Sequence, residues 1–197
     1  MPTPTNPTSV THFQSSLAEA EETLKAIRAL EEPLNKAAKI VLTALTSGKK
    51  LLLCGNGGSA ADSAHIATEF TCRFQGDRRP YPAIALNVDG GLLTAIGNDY
   101  NFQDIFARQV HAFGQPGDVL ITLSTSGKSR NVLSALEEAR RQKVRTIAFL
   151  GKGGGFTAGA AELEIVVPGT VTARIQEAHK FLLHVLCEIV EKDLPKE

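Results

Sequence analysis

The chain has 197 residues, of which 43% are hydrophobic and 21% are charged. These values are typical of one globular domain and exclude a chain that is disordered throughout. Lys and Arg together number 21, as do Asp and Glu, so the formal net charge is 0. We therefore expect neither the broad basic surface of a nucleic-acid-binding protein nor a strong attraction to anionic membranes.

The three cysteines, Cys54, Cys72 and Cys187, are widely spaced and form no C-x-x-C pair. This pattern predicts neither a disulfide scaffold nor a thiolate zinc site, and we expect three small buried hydrophobic residues. The first ten residues lack the apolar segment of a signal peptide. No apolar run approaches the roughly 20 residues of a membrane span. We expect a soluble, cytoplasmic protein with no nucleic-acid or membrane partner.

The N-terminal region predicts two helices ahead of the first strand. Residues 1–10 are rich in Pro and Thr and are expected to form a disordered arm outside a single domain spanning 11–197. Apolar positions at steps of three and four predict an amphipathic helix from Thr11 to Leu30. Pro33 is expected to interrupt it, and a second helix follows to about Gly48. We expect a helical hairpin that carries an oligomer interface or, alternatively, simply packs on the domain.

Beyond Lys50, short apolar runs alternate with helical segments. The predicted strands are Leu51–Cys54, Ala83–Leu86, Val119–Leu123, Thr146–Leu150 and Leu163–Val167. The predicted helices are Ser59–Phe74, Phe102–Phe113, Asn131–Gln142, Gly155–Ala161 and Ala173–Glu191. Most strands lack polar alternation, as strands buried on both faces do. The alternation predicts an α/β fold with a parallel sheet between layers of helices.

A glycine-rich loop, residues 54–59 (CGNGGS), follows the first predicted strand. Its glycines permit tight turns and a close approach of the backbone, and Ser59 is placed to cap the next helix. The pattern predicts an anion-binding site at a helix N-terminus or, alternatively, a purely structural turn. It is not a Walker A loop, because no Gly-Lys-Ser/Thr follows.

A hydroxyl-rich loop follows the third predicted strand, and the next helix starts near its end. Its hydroxyl residues are Ser124, Thr125, Ser126 and Ser129. Hydroxyls and backbone N–H groups at a helix N-terminus satisfy the oxygens of a phosphate without a metal. The alternative is a helix cap with no ligand. Residues 151–155 (GKGGG) are expected to form a mobile turn rather than another phosphate site.

Two helices carry polar groups suited to a metal or to proton transfer. His65 and Glu69 are four residues apart and therefore share one helix face. They predict a divalent metal site, a proton-transfer group or, alternatively, a hydrogen-bonded surface pair. On the last helix, Gln176 and His184 are placed to border one cleft. The residues alone do not identify the reaction.

Four segments together resemble the sugar isomerase (SIS) domain family: CGNGGSAAD, STSGKS, GND at 97–99 and ARIQEAH at 173–179. The resemblance covers nearly the whole chain and is strongest to the members that isomerise sedoheptulose 7-phosphate. It implies a flavodoxin-like parallel sheet and a homotetramer. It also implies conversion of that sugar to D-glycero-D-manno-heptose 7-phosphate, the first step toward the heptose of lipopolysaccharide core or another surface polysaccharide.

The resemblance also implies roles for particular residues. The phosphate would be bound by Ser124, Thr125, Ser126 and Ser129, with Ser59 nearby. The remaining substrate-binding residues would be Asn56, Gly57, Gly58, Glu69, Arg73, Asn98, Asp99 and Gln176. One zinc ion per subunit would be held by His65, Glu69, Gln176 and His184. Ala173 departs from the pattern, because some family members have an acidic residue there.

The implied chemistry is an aldose–ketose isomerisation through a cis-enediol. We expect Glu69 to act as the base and His184 as the acid/base partner, since a carboxylate and an imidazole can both transfer protons near neutral pH. Zinc would polarise or orient the sugar oxygens.

A non-catalytic SIS-domain adaptor that binds the replication initiator protein is the main alternative. It shares the two loops but lacks both proposed catalytic residues, whereas this chain has Glu69 and His184. A sugar-phosphate sensor, or an isomerase for another sugar phosphate, is a third reading.

Overall fold

The computed structural model describes residues 7–196, with the backbone alone for residues 7–10. The N-terminal region comprises helix α1 (Pro7–Ala26), a 3-10 turn (Ile27–Leu30) and helix α2 (Glu31–Thr46). Helix α1 begins four residues before the predicted start, so residues 7–10 are helical and do not belong to an arm. Proline suits the first turn of a helix, where its missing N–H would have no helical partner. Residues 1–6 of the predicted arm lie outside the described residues.

The two N-terminal helices follow one another and do not form the predicted hairpin. Pro33 lies in the first turn of α2, where it does not interrupt helical hydrogen bonding. The residues flanking the 3-10 turn, Ala26 and Glu31, are both right-handed helical. The chain therefore continues as a long, nearly unbroken helical segment, and α1 packs against the C-terminal helix of the domain.

The rest of the chain forms a five-stranded parallel sheet flanked by helices. The strands are β1 (Leu51–Gly55), β2 (Ala83–Ala85), β3 (Val119–Ser124), β4 (Arg145–Gly151) and β5 (Leu163–Val167). The helices are α3 (Gly58–Thr71), α4 (Gly90–Asp99), α5 (Ala107–Phe113), α6 (Arg130–Arg141) and α7 (Thr172–Asp193). The strand order is β2-β1-β3-β4-β5, and every neighbouring pair is parallel. This is the flavodoxin-like order, so the predicted fold class is confirmed.

Each face of the sheet has its own hydrophobic core. Leu51 and Leu53 of β1 pack in a cluster with α2, α3 and α7. Leu52 and Cys54 point to the opposite face and pack in a cluster with α5 and α6. This alternation follows from the period of two along a strand and explains why β1 is buried along its whole length.

Several local predictions are wrong. Helix α4 was not predicted, because its two leading glycines and Gly97 are poor helix formers; Asp89 stabilises its start by accepting a 2.9 Å hydrogen bond from Leu92 N. The predicted helix 155–161 is not one, since Lys152–Thr157 forms a 3-10 turn whose glycines have positive φ.

Two further structural features bear on the sequence predictions. Cys54 and Cys187 are buried as expected, but Cys72 is exposed just beyond the C-terminus of α3. All three thiols are free. Within the described residues, every helix is too short or too polar to cross a membrane.

Candidate active site

The two predicted loops meet at the point where the chain switches faces of the sheet. Strands β1 and β3 are neighbours, and the loops leave their carboxyl ends. Helix α3 follows β1 and packs on one face, whereas α6 follows β3 and packs on the other. Because the following helices lie on opposite faces, this edge is the topological switch point of the sheet, which is where open α/β sheets bind ligands.

A pair of asparagines ties the two loops together. Asn56 Nδ2 donates to Asn131 Oδ1 at 2.9 Å, and Asn131 Nδ2 donates to Asn56 Oδ1 at 2.8 Å. Asn131 is buried in the first turn of α6, and its Oδ1 also accepts from Val132 N. Sequence reasoning missed Asn131, because its partner lies 75 residues away and no local pattern marks it.

The predicted cap of α3 is wrong. Gly57 is the N-cap residue, with φ 57° and ψ −123°, and the helix already begins at Gly58. Only glycine adopts this conformation readily, which explains the glycine at this position. Ser59 therefore lies buried within the first turn of the helix and is not its N-cap residue.

The hydroxyl-rich loop folds back on itself at the start of α6. Gly127 N donates to Ser124 Oγ at 3.1 Å, and the Ser124 and Ser129 hydroxyls lie 3.3 Å apart. Lys128 N donates to Ser126 Oγ at 3.1 Å. Ser129 is the N-cap residue of α6 but makes no side-chain hydrogen bond to the helix. The loop thus gathers hydroxyls beside first-turn N–H groups, an arrangement that suits an anion.

Residues 151–155, predicted to form a mobile turn, pack against the hydroxyl-rich loop. Thr157 donates to Gly127 O through both its backbone N, at 3.1 Å, and its Oγ1, at 2.8 Å. A Cβ at Gly127 would overlap the carbonyl oxygen of Gly154. Close packing of glycine backbones therefore holds the hydroxyl-rich loop in place.

Three side chains converge between α3 and α7. His65 Nε2 lies 3.3 Å from Glu69 Oε1 and 2.9 Å from His184 Nε2. One ligand atom from each of the three residues lies within 4.8 Å of the other two. Two imidazole nitrogens and a carboxylate oxygen form a donor set that suits Zn²⁺. Glu69 and His184, which are 115 residues apart in the sequence, therefore lie close together, as predicted.

Gln176 lies at the other end of the same α3–α7 contact. Its Nε2 donates to Asp62 Oδ2 at 3.0 Å, and its side chain packs against Gly58. Asp62 is buried and forms an ion pair with Lys180 Nζ at 3.3 Å. Sequence reasoning missed Asp62 and Lys180; the position of Asp62, three residues before His65 on the same helix, was a signal that could have found Asp62.

The remaining predicted site residues are more exposed and lie on other segments. Arg73 is exposed in the loop after α3. Asn98 and Asp99 lie exposed at the end of α4, where Asn98 Nδ2 donates to Asp99 Oδ1 at 2.9 Å. Thr125 is half-buried in the hydroxyl-rich loop, and Ala173 is exposed in the first turn of α7.

His179 belongs to the core and not to the site. It is fully buried, and its Nε2 donates to Leu150 O at 3.0 Å. Burial lowers the pKa of His179, although the Leu150 carbonyl and the charge of Asp62 act in the opposite direction. His179 is therefore neutral at physiological pH.

Comparison with known proteins defines the class first. The SIS domain family model matches residues 16–151, a range that holds β1, β3, both loops and the His65/Glu69 pair. The chain thus belongs to the SIS domain family.

Comparison with individual relatives identifies the family within this class to which the chain belongs. A phosphoheptose isomerase from Clostridium acetobutylicum is 49% identical over 182 residues, which cover 92% of each chain. The solved phosphoheptose isomerase structure from Neisseria gonorrhoeae has 41% identity and a TM-score of 0.84, covering 93% of this chain and 97% of that one. The one from Francisella tularensis has 38% identity and a TM-score of 0.86, with coverages of 94% and 97%. The chain belongs to the phosphoheptose isomerase family and is an isomerase.

Proposed function

We propose that the protein converts sedoheptulose 7-phosphate to D-glycero-D-manno-heptose 7-phosphate by proton transfer through a cis-enediol. The observation that carries this proposal is the convergence of His65, Glu69 and His184 between α7 and α3, the helix that begins at the sheet edge where the two loops meet. The family relationship supports it, and none of the comparisons supports the adaptor alternative.

The hydroxyl-rich loop would bind the phosphate of the sugar. Hydroxyls of Ser124, Ser126 and Ser129, now engaged with the loop's own backbone or with one another, would instead donate to phosphate oxygens. N–H groups in the first turn of α6 favour a negative charge through the helix dipole. Thr125 would add a fourth hydroxyl, and Asn56, Gly57, Gly58 and Ser59 would line the sugar from the first loop.

Glu69 and His184 would move the protons. The Glu69 side chain is 15% exposed, and its Oε1 faces His65. Its second oxygen, Oε2, is then available to take a proton from the carbon next to the carbonyl. His184 would protonate the carbonyl oxygen from the opposite helix. An ordered carboxylate–imidazole pair of this kind contributes about 10²–10⁴-fold to rate.

The same cluster would hold one zinc ion per subunit. His65, Glu69 and His184 would supply three donors, and the Gln176 side chain, which packs against Gly58, would turn towards the cluster to supply its amide oxygen as the fourth. The 2.9 Å approach of two imidazole nitrogens fits this assignment, because a cation between them satisfies both lone pairs. When bound, zinc would polarise sugar oxygens. Asp62 orients the Gln176 amide by accepting a hydrogen bond from its N–H, which leaves the amide oxygen free to coordinate the metal.

A homotetramer would complete the molecule. Large apolar side chains are exposed along α1, at Phe13, Leu17 and Leu24, and on α7 at Phe181. A surface with this many exposed apolar groups is typical of a protein–protein interface. Arg73, Asn98 and Asp99, which are exposed in the single chain, would reach substrate in the assembled protein.

The product would supply the heptose of lipopolysaccharide core or another surface polysaccharide, and the enzyme would work in the cytoplasm. The family relationship and the phosphorylated substrate support both statements.

The test compares Glu69→Gln with Glu137→Gln, a matched change at an exposed position on α6. We expect Glu69→Gln to lose at least about 10²-fold in kcat with the same oligomeric state as the wild type. Glu137→Gln should keep wild-type turnover. Substantial turnover by Glu69→Gln would remove Glu69 from the role of base. No turnover by any folded form, wild type included, would favour the adaptor or sensor.

A further inference from the structure

The loop after α3 is held by one buried ion pair, Arg78–Glu191, which we call the clamp. The Arg78 Nε and Glu191 Oε1 atoms are 3.1 Å apart, and the Arg78 side chain is 2% exposed. Arg78 follows α3 by seven residues, and Glu191 lies on α7, seven residues after His184. The clamp therefore joins the two helices that carry the His65/Glu69/His184 cluster.

Glu191 fixes the first half of the loop. Its carboxylate accepts hydrogen bonds from Phe74 N at 3.2 Å, Gln75 N at 2.9 Å and Gly76 N at 3.2 Å. Burial alone would raise the pKa of Glu191, but these three N–H groups and Arg78 lower it below 4.5. The carboxylate is thus charged throughout the neutral range.

Arg78 fixes the end of α3. Its guanidinium donates to the backbone carbonyls of Phe70, at 2.9 Å, and of Glu69. Carbonyls in the last turn of a helix have no helical partner, so a buried guanidinium there satisfies them and holds the turn. One of these carbonyls belongs to the proposed catalytic base itself.

The fixed loop places Phe74 on the other proposed catalytic residue. The Phe74 and His184 rings are stacked, with centroids 6.0 Å apart and an interplanar angle of 23°. His184 also meets the His65 ring edge-on, with centroids 5.2 Å apart. The imidazole of His184 is therefore held between Phe74 and His65.

We propose that Arg78 and Glu191 are positioning residues, which set the distance and orientation between Glu69 on α3 and His184 on α7. Neither is among the residues that we propose bind the substrate or the metal; they act through the Glu69 carbonyl and through Phe74. The inference rests on the proposed function, because it assigns the clamp a part in that reaction.

A purely structural role is the competing explanation, and the chain offers a matched control. Asp118 is a buried carboxylate that accepts from Lys50 Nζ at 2.5 Å and from the backbone N of Lys50 and Gln115. It lies just before β3, at the opposite end of the sheet from the site. Glu191→Gln and Asp118→Asn each weaken a buried ion pair that also receives backbone N–H groups, but only the first disturbs the clamp.

The experiment compares the full-length wild type with Glu191→Gln, Asp118→Asn and Phe74→Leu. It measures three sets of quantities: the separate kcat and KM values, the dissociation constant for Zn²⁺ and, in the proteins that keep Phe74, the NMR contact between the rings at positions 74 and 184. We expect Glu191→Gln to lower kcat at least tenfold with less than a threefold change in KM, to weaken zinc binding about tenfold or more, and to lose the ring contact. Asp118→Asn should lower the melting temperature yet keep all three quantities.

Phe74→Leu keeps the clamp and removes the stacked ring, and it should also lower kcat more than KM. This variant tests the proposal if Glu191→Gln does not fold. Equal kcat and equal zinc affinity in Glu191→Gln and wild type would overturn the proposal, as would unchanged kcat in Phe74→Leu. If the wild type does not isomerise the sugar, the proposed function fails on its own; zinc affinity and the ring contact still decide whether the clamp positions the cluster.

Discussion

The Asn56–Asn131 pair provides a quantitative test of how the two loops are joined. Each asparagine donates one hydrogen bond to the other, and Asn131 Oδ1 accepts a third bond from Val132 N. A neutral hydrogen bond contributes about 1 kcal/mol net, and a buried amide without a partner costs about 1–3 kcal/mol. Asn131→Ala and Asn56→Ala should therefore each destabilise the protein by about 2–3 kcal/mol. Because both single variants lose the same two bonds, the double variant should lose less than their sum by about 1–2 kcal/mol.

The assay is a double-mutant cycle by urea unfolding at one protein concentration, since the stability of the proposed homotetramer would depend on concentration. Asn131→Ala should also raise KM for the sugar phosphate more than it lowers kcat, because the glycine-rich loop and the hydroxyl-rich loop, which we propose bind the substrate, would lose their fixed spacing. Stability changes that add to within about 0.5 kcal/mol would refute the coupling. An unchanged KM in Asn131→Ala would refute the role of the pair in joining the loops.

Two further predictions concern the backbone conformation at Gly127 and the charge of Glu138. Gly127→Ala should destabilise the protein by more than about 2 kcal/mol, because φ is +60° and the added Cβ would overlap Gly154 O; Gly48→Ala, with φ +72° and open space around it, should cost only about 1 kcal/mol. Equal shifts in melting temperature would contradict this. Burial would raise the pKa of Glu138, but hydrogen bonds from Gln142, His111 and Arg141 lower it from 4.5 to about 2. Its folded-state pKa is depressed, so stability should fall as pH drops from about 4.5 to 2, by at most about 3 kcal/mol. Glu138→Gln should lose this component of the pH dependence, and parallel wild-type and variant unfolding curves over that range would contradict it.

The strands and the loops could be predicted from local sequence. Runs such as 51–54 and 119–123 are apolar at every position or nearly so, which is typical of strands covered on both faces. Glycines and hydroxyls directly after a strand signal a turn into a helix N-terminus. The family resemblance brought together His65, Glu69 and His184, which spacing alone could not connect.

The remaining features depend on contacts that no local pattern encodes. Helix α4 begins with two glycines, so propensity predicts a loop, whereas the Asp89 cap and the burial of Ile96 make it helical. The partners of Asn131 and Asp62 lie 75 and 114 residues away. The clamp spans 113 residues. A single sequence shows such polar residues but not their partners.

The central claim is that this chain isomerises sedoheptulose 7-phosphate at the His65/Glu69/Gln176/His184 site. Its most direct test is a turnover assay on purified protein, with formation of the heptose 7-phosphate followed as prepared, after a chelator, and after zinc is returned. We expect turnover that falls with the chelator and recovers with zinc. A turnover rate that the chelator does not change would contradict the role of zinc. A folded, zinc-loaded protein with no turnover would contradict the claim itself.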